Sequence, residues 1–186
     1  MKKRARQIAE TRQRIVEAAM RLHTSVGPAN TTISAVAKEA DVTRVTVYNH
    51  FPDEEHLFLA CSAHWTQLHP PPDPQRWTEV SGLEPRSRQA LDELYGWFRD
   101  NDDDLYPLYR DFTAMPPAFQ QGVIAQFTEI GEALVVGSGV RGHRRDRLRA
   151  VAGHVTSYWT WRSLVVEQGL STGDAVDLGV GFILSV

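Results

Sequence analysis

Residues 32–52 read Thr32-Ile33-Ser34-Ala35-Val36-Ala37-Lys38-Glu39-Ala40-Asp41-Val42-Thr43-Arg44-Val45-Thr46-Val47-Tyr48-Asn49-His50-Phe51-Pro52. Ile33, Val36, Ala37 and Ala40 recur at the i, i+3, i+4, i+7 spacing of a short helix with one buried face, and Thr31 or Thr32 can cap its N-terminus. Asp41-Val42-Thr43 supplies a tight turn, since Asp tolerates a left-handed backbone and Thr43 can cap the helix that follows. That helix spans roughly Arg44 to His50 and is closed by Pro52, after which Asp53-Glu54 open a fourth helix with acidic side chains at its positive end. Val42 and Val47 face inward, while most other side chains of the Arg44–His50 helix are polar or small and point hydrogen-bonding groups outward. Two short helices joined by such a turn form the unit that seats its second helix in the major groove of DNA. The same spacing also suits an ordinary helical hairpin with a solvated second helix.

Upstream, a first helix runs from about Ala5 to Thr24, with Ile15, Ala18, Ala19 and Leu22 on one face, until Gly27-Pro28 stops it. Lys2, Lys3, Arg4 and Arg6 precede that face and read either as a minor-groove arm or as a frayed, solvated terminus. Residues 1–50 carry nine Lys/Arg against four Asp/Glu, a net +5, whereas the remainder carries eleven against nineteen, a net −8. A basic segment joined to an acidic body suits a polyanion partner for the first part only, although ordinary surface charge can give the same count. The 186 residues with 42% hydrophobic content are enough for a buried core. The single cysteine, Cys61, excludes an internal disulfide framework, no Cys/His spacing suggests zinc, and no apolar run approaches a membrane span. The expectation is a soluble, cytoplasmic, all-α protein without cofactor, metal or membrane partner.

The stretch from Thr11 to Leu57 resembles the DNA-binding domain of the TetR family, and it covers about a quarter of the chain. The resemblance is carried by Thr32-Ile33-Ser34-Ala35-Val36-Ala37, by Ala40-Asp41-Val42-Thr43, and above all by Val47-Tyr48-Asn49-His50-Phe51-Pro52 with Leu57 following. It implies a helix-turn-helix domain over residues 1–52 and a helical effector-binding and dimerisation domain over 53–186. It also implies that Thr32, Thr46, Tyr48 and His50 hold phosphates, that Arg44, Val45 and Asn49 meet base edges, and that Phe51 anchors the recognition helix. Thr43 joins the DNA-binding set, with a purely capping role as its alternative. The chemistry agrees, since hydroxyls and imidazole donate to phosphate oxygens, Arg can grip guanine bidentately, and Val45 can read a thymine methyl. Two residues depart from the family pattern: Asp41 stands where a turn glycine is common, and Glu54 stands where many members carry a phosphate-contacting lysine.

Beyond Leu57 the helical reading rests on the residues alone. Leu57, Cys61, Trp65 and Leu68 continue the fourth helix to Pro70-Pro71-Pro72, which with Asp73-Pro74 reads as a rigid loop. A fifth helix carries Leu91, Leu94, Tyr95 and Phe98; the acidic run Asp100–Asp104 reads as a solvated loop; a short sixth helix carries Leu105, Leu108, Tyr109 and Phe112. A seventh follows Pro116-Pro117, an eighth runs from about Asp146 through Leu148, Val155, Tyr158, Trp159 and Val166, and a ninth follows Gly173-Asp174. All five tryptophans lie at or beyond Trp65. Trp65, Tyr95, Phe98, Tyr109, Phe112 and Phe127 fall on helices that the resemblance places around an effector cavity, suited to an apolar or aromatic small molecule; aromatic side chains at helical spacing are also ordinary core. Gly122, Gly131 and Gly153 permit close helix approach near a homodimer face. The expected function is a ligand-responsive repressor on a palindromic operator, with a regulator controlled by a protein partner as the alternative. Catalysis is remote: His64, His69, His143 and His154 form no His-Glu-x-x-His pair, and no nucleophile elbow or phosphate-cradling glycine loop is present.

Overall fold

The computed structural model describes the chain from residue 2, with side chains from Lys3 onward, and among the described residues it is helical with no strand. Contacts divide it into two units, Met1–Pro70 with Asn101–Gln120, and Pro71–Asp100 with Gln121–Val186.

In the first unit, α1 (Lys2–Ser25) packs on α2 (Ile33–Glu39) and α4 (Glu54–Leu68), and α2 packs on α3 (Arg44–His50). Ile15, Val16, Ala18 and Ala19 of α1 meet Ile33, Val36, Ala37 and Ala40 around α2, Val47 and Phe51 around α3, and Leu57 and Cys61 of α4. Small residues on α1 and α2 let the helices approach closely, and the larger side chains fill what remains. The apolar face begins late on α1: residues 3–10 are all exposed. Lys3, Arg4 and Arg6 therefore lie along an exposed helix, and the side chain of Lys2 lies outside the described residues. After α1 the backbone turns at Gly27 (φ 94°) into a short 3-10 turn, Pro28–Asn30. That turn is held from the far end of α6 (Leu83–Arg110): Asp111 accepts from the Ala29 N–H at 3.1 Å, and Arg110 donates to the Val26 carbonyl at 2.9 Å.

The second unit is built from α5 (Pro74–Thr78), the leading part of α6, the later part of α7 (Pro117–Val135), and α8 (Gly142–Val155), α9 (Tyr158–Arg162) and α10 (Thr172–Leu184). Trp77, Leu91, Tyr95, Phe98, Leu134, Leu148, Tyr158, Trp161 and Ile183 are its largest buried side chains. A Cβ on Gly179 would stand 2.8 Å from Leu91 Cδ1, so α10 lies close against α6. Gly131 and Gly153 face each other with backbone atoms 3.7–3.8 Å from a Cβ built on Gly131, so these two glycines serve helix approach within the chain. Arg86 is buried without a carboxylate partner; its guanidinium donates to the Val80 carbonyl and to those of Leu134 and Val136, where a cation complements the negative end of α7.

Three segments differ from the sequence expectation. The acidic run Asp100–Asp104 is not a loop: α6 continues through it and through Pro107. The apolar stripe keeps helical phase across the run, from Leu91, Leu94 and Phe98 to Leu105, and the Asp side chains stand on the wetter faces, so only modest helix propensity opposes continuation. Asp73-Pro74 does not extend a loop but starts α5, with Asp73 accepting from the Gln75 N–H at 3.0 Å and Pro74 at the first helical position. The expected eighth helix starts at Gly142 and breaks after Val155. Thr156 donates its hydroxyl back to the Ala152 carbonyl at 2.9 Å, and Ser157 (ψ 137°) restarts α9 by accepting from the Trp159 N–H. A π-helical turn, Ser163–Glu167, then follows α9.

Candidate nucleic-acid interface

Thr32 and Thr43 are the N-caps of α2 and α3, accepting from the Ala35 and Thr46 N–H groups at 3.2 and 3.1 Å. Both are exposed, so each hydroxyl stands at the positive end of its helix, beside N–H groups that no helical carbonyl satisfies. Between the two helices Asp41 takes φ 53° and is the one non-glycine residue with positive φ among those described. The turn thus adopts the left-handed conformation for which glycine is commoner, and Asp tolerates it.

Across α3, one residue faces in and most face out. Val47 is 1% exposed and Val42 packs against the same core, whereas Val45 is 69% and Tyr48 43% exposed, with Arg44 and Asn49 also exposed. Thr46 and His50 are half-buried, and the Thr43 and Thr46 hydroxyl oxygens stand 2.9 Å apart. Phe51 caps the end of α3 at 2% exposure, with the Arg12 guanidinium 4.6 Å above its ring. α3 is therefore fixed from below by Val47 and Phe51 while presenting a cation, an amide, a phenol and an aliphatic side chain to solvent. A cation and an amide suit base edges, a phenol suits phosphate oxygens, and an aliphatic side chain suits a thymine methyl. Asp53 caps α4 and also accepts from His56 Nδ1 at 2.7 Å, interactions that hold its carboxyl below the usual range; Glu54 beside it is exposed.

The aromatic residues expected around an effector divide between the two units. In the first, the buried Trp65 stacks on His69 (4.7 Å) and donates its indole N–H to Asp104 at 2.7 Å, while Tyr109 and Phe112 are half-buried. In the second, Tyr95 and Phe98 are fully buried and Phe127 is half-buried. The Tyr95 hydroxyl donates to the Val155 carbonyl at 2.6 Å, satisfying an acceptor at the end of α8. Burial pushes the Tyr95 and Tyr109 hydroxyls up from the ordinary phenol range. Sequence reasoning passed over Trp77, which is fully buried and donates to Glu93 at 2.8 Å, and the Arg110–Asp111 clasp on the Gly27 turn. The cue for the first was a lone aromatic two turns before a carboxylate-bearing helix; the second spans more than eighty positions and leaves no local pattern.

Histidines expected to be non-catalytic lie apart. His64 meets Gln13 at 3.4 Å and His69 meets Asn101 at 2.6 Å, whereas His143 and His154 are exposed, and His154 stands edge-on to Phe182. Among the described residues no three His, Cys, Asp or Glu side chains converge to hold a metal ion, and no helix is long and apolar enough to cross a membrane.

Residues 15–61 match the model of bacterial regulatory proteins of the tetR family. AcrR of Shigella flexneri, an HTH-type transcriptional regulator, is 40% identical over 57 residues, which span 31% of this chain and 26% of that protein. Solved structures carry the likeness of fold along the chain. AibR in complex with isovaleryl coenzyme A and operator DNA gives a TM-score of 0.64 at 16% identity, covering 92% of this chain and 96% of that one. FadR of Bacillus subtilis in complex with stearoyl-CoA gives 0.62 at 11% identity, covering 93% and 97%. The helix pair is thus similar in sequence to bacterial regulatory proteins of the tetR family over residues 15–61, the remaining helices are similar in fold to these solved structures, and the chain spans about a quarter of the length of the curated relative it matches.

Proposed function

We propose that the protein binds a near-palindromic operator as a homodimer and leaves it when a small apolar effector binds, acting as a repressor. The observation that carries this reading is the two-sided α3, with Val47 locked into the core and Arg44, Val45, Tyr48 and Asn49 exposed together. Arg44, Val45 and Asn49 read bases. Thr32, Thr43, Thr46, Tyr48 and His50 hold phosphates and set the register. DNA reading belongs to residues 1–52, and effector binding and dimerisation to residues 53–186. The dimer face draws on the exposed apolar side chains of α9 and α10, Trp159, Leu178 and Phe182, which a second copy would cover.

The aromatic side chains proposed for effector contact are Trp65, Tyr109 and Phe112 within the first unit and Tyr95, Phe98 and Phe127 within the second. The acyl-CoA complexes of AibR and FadR support a ligand with an apolar portion. α4 is the lever, because Leu57 and Cys61 belong to the core under α3 while Trp65 on the same helix belongs to the effector set. The deciding experiment selects genomic fragments with the purified protein across a salt series, beside Arg44→Ala. Enrichment of a palindrome bound by two chains, affinity falling steeply with salt, and lost sequence preference in the variant are expected. Retention of no DNA at low salt overturns the reading, and operator affinity unchanged by a proven ligand removes the lever.

A further inference from the structure

Among the described residues, three buried aromatic side chains donate to a partner and a fourth does not. The indole N–H of Trp65 reaches Asp104, that of Trp77 reaches Glu93, and the Tyr95 hydroxyl reaches the Val155 carbonyl. Trp161 is 1% exposed, yet its indole nitrogen has no hydrogen-bond partner. An indole N–H can only donate, so no rotation of the ring turns the unmet group into something else. Burial without an acceptor is costly, and an unmet buried donor in a native fold calls for a missing partner.

The ring sits among other rings. Its centroid is 5.7 Å from Phe98 and 5.7 Å from Tyr158, which are themselves 5.5 Å apart. The backbone on either side departs from regular helix, at the Thr156–Ser157 break and at the π-helical turn, where the Gln168 N–H returns to the Ser163 carbonyl at 3.0 Å. Such π-turns interrupt helices mostly where a function keeps them. Ser87 Oγ is also buried and unpartnered, but Ser87 lies eleven residues before Phe98 on α6, about 16 Å along the helix, and is a separate matter.

We propose that Trp161 is the polar anchor of the effector site, donating its indole N–H to the carbonyl oxygen of a neutral and otherwise apolar molecule. This rests on the reading of the aromatic C-terminal region as an effector site. A charged acceptor would lose its hydration among the Phe98, Tyr158 and Trp161 rings, whereas a carbonyl oxygen exchanges one water for one N–H. The anchor supplies selectivity and the rings supply affinity.

Acetophenone and ethylbenzene separate these contributions, being alike in size and differing in the carbonyl. Binding is followed through the five indole N–H resonances of the labelled protein, with that of Trp161 assigned as the one lost in Trp161→Phe. Acetophenone is expected to bind the wild type about three- to tenfold more tightly than ethylbenzene and to move the Trp161 proton downfield, as ethylbenzene does not. In Trp161→Phe the preference for acetophenone over ethylbenzene falls to about unity. Equal affinities with an unmoved Trp161 proton overturn the anchor and leave the effector reading standing. If neither probe shifts any indole resonance, the effector reading of this region falls and the anchor falls with it. Should the variant not fold, the wild-type resonance, assigned through its contacts with Phe98 and Tyr158, carries the test.

Discussion

His23 on α1 is held neutral by its surroundings. Its Nδ1 lies 3.2 Å from Cys61 Sγ and its ring 4.9 Å from Phe58, and burial lowers its pKa from 6.5 to about 4. The unfolded chain takes up a proton near pH 6.5 that the folded chain refuses until about pH 4. Stability from this residue is therefore complete above pH 6.5 and declines as pH falls toward 4, by up to about 3 kcal/mol. Urea midpoints at pH 7.5 and pH 5 should show this loss in the wild type and less of it in His23→Leu; identical pH slopes would remove His23 as its source. Nothing in the sequence announced this environment, because it depends on α4 crossing α1. Asp41, by contrast, was legible: a turn of three residues between two short helices demands a left-handed position, and Asp is among the few residues that accept one.

Turns and helices were legible wherever local chemistry decided them. Thr32, Thr43 and Asp53 are caps because a short polar side chain before an apolar period has few better uses. The continuity of α6 was obscured by Asp100–Asp104, although the apolar phase ran on underneath. The break after α8 was hidden for the opposite reason, since the apolar period from Leu148 to Val166 passes over Thr156 and Ser157 unmarked, and only their hydroxyls divert the backbone. Gly27 shows how much one turn can depend on a distant element. It has φ 94°, and a Cβ there would stand 2.1 Å from Asp111 Oδ2 and 2.3 Å from Arg110 Nη2. Gly27→Ala must therefore strain its own backbone and open the clasp together. Chemical denaturation should show a loss of more than about 1 kcal/mol, exceeding that of Asp111→Ala, which removes the hydrogen bond alone. A Gly27→Ala variant as stable as the wild type would mean that the clasp is dispensable.

Charge is divided unevenly along the molecule, +5 over residues 1–50 and −8 over the rest, as the proposed division between DNA reading and effector binding requires. The helix-turn-helix could be named from sequence because its caps, its turn and its buried and exposed faces all lie within a few turns of chain. The aromatic region could not be subdivided in this way, since Phe98 and Trp161 carry the same hydrophobic signature and only an unmet N–H tells them apart. Cys61, the only cysteine, is 2% exposed; it donates to the Phe58 carbonyl at 3.1 Å, and burial pushes its thiol up to about 12. At mildly alkaline pH almost none of it is thiolate, and no reagent reaches it while α1 and α4 stay packed. Alkylation must then wait for the helices around it to part, so the labelling rate is a clock for local unfolding. Operator DNA, if bound as proposed, should slow that clock in proportion to its occupancy, so that one sulfur atom in the core under α3 reports on DNA binding.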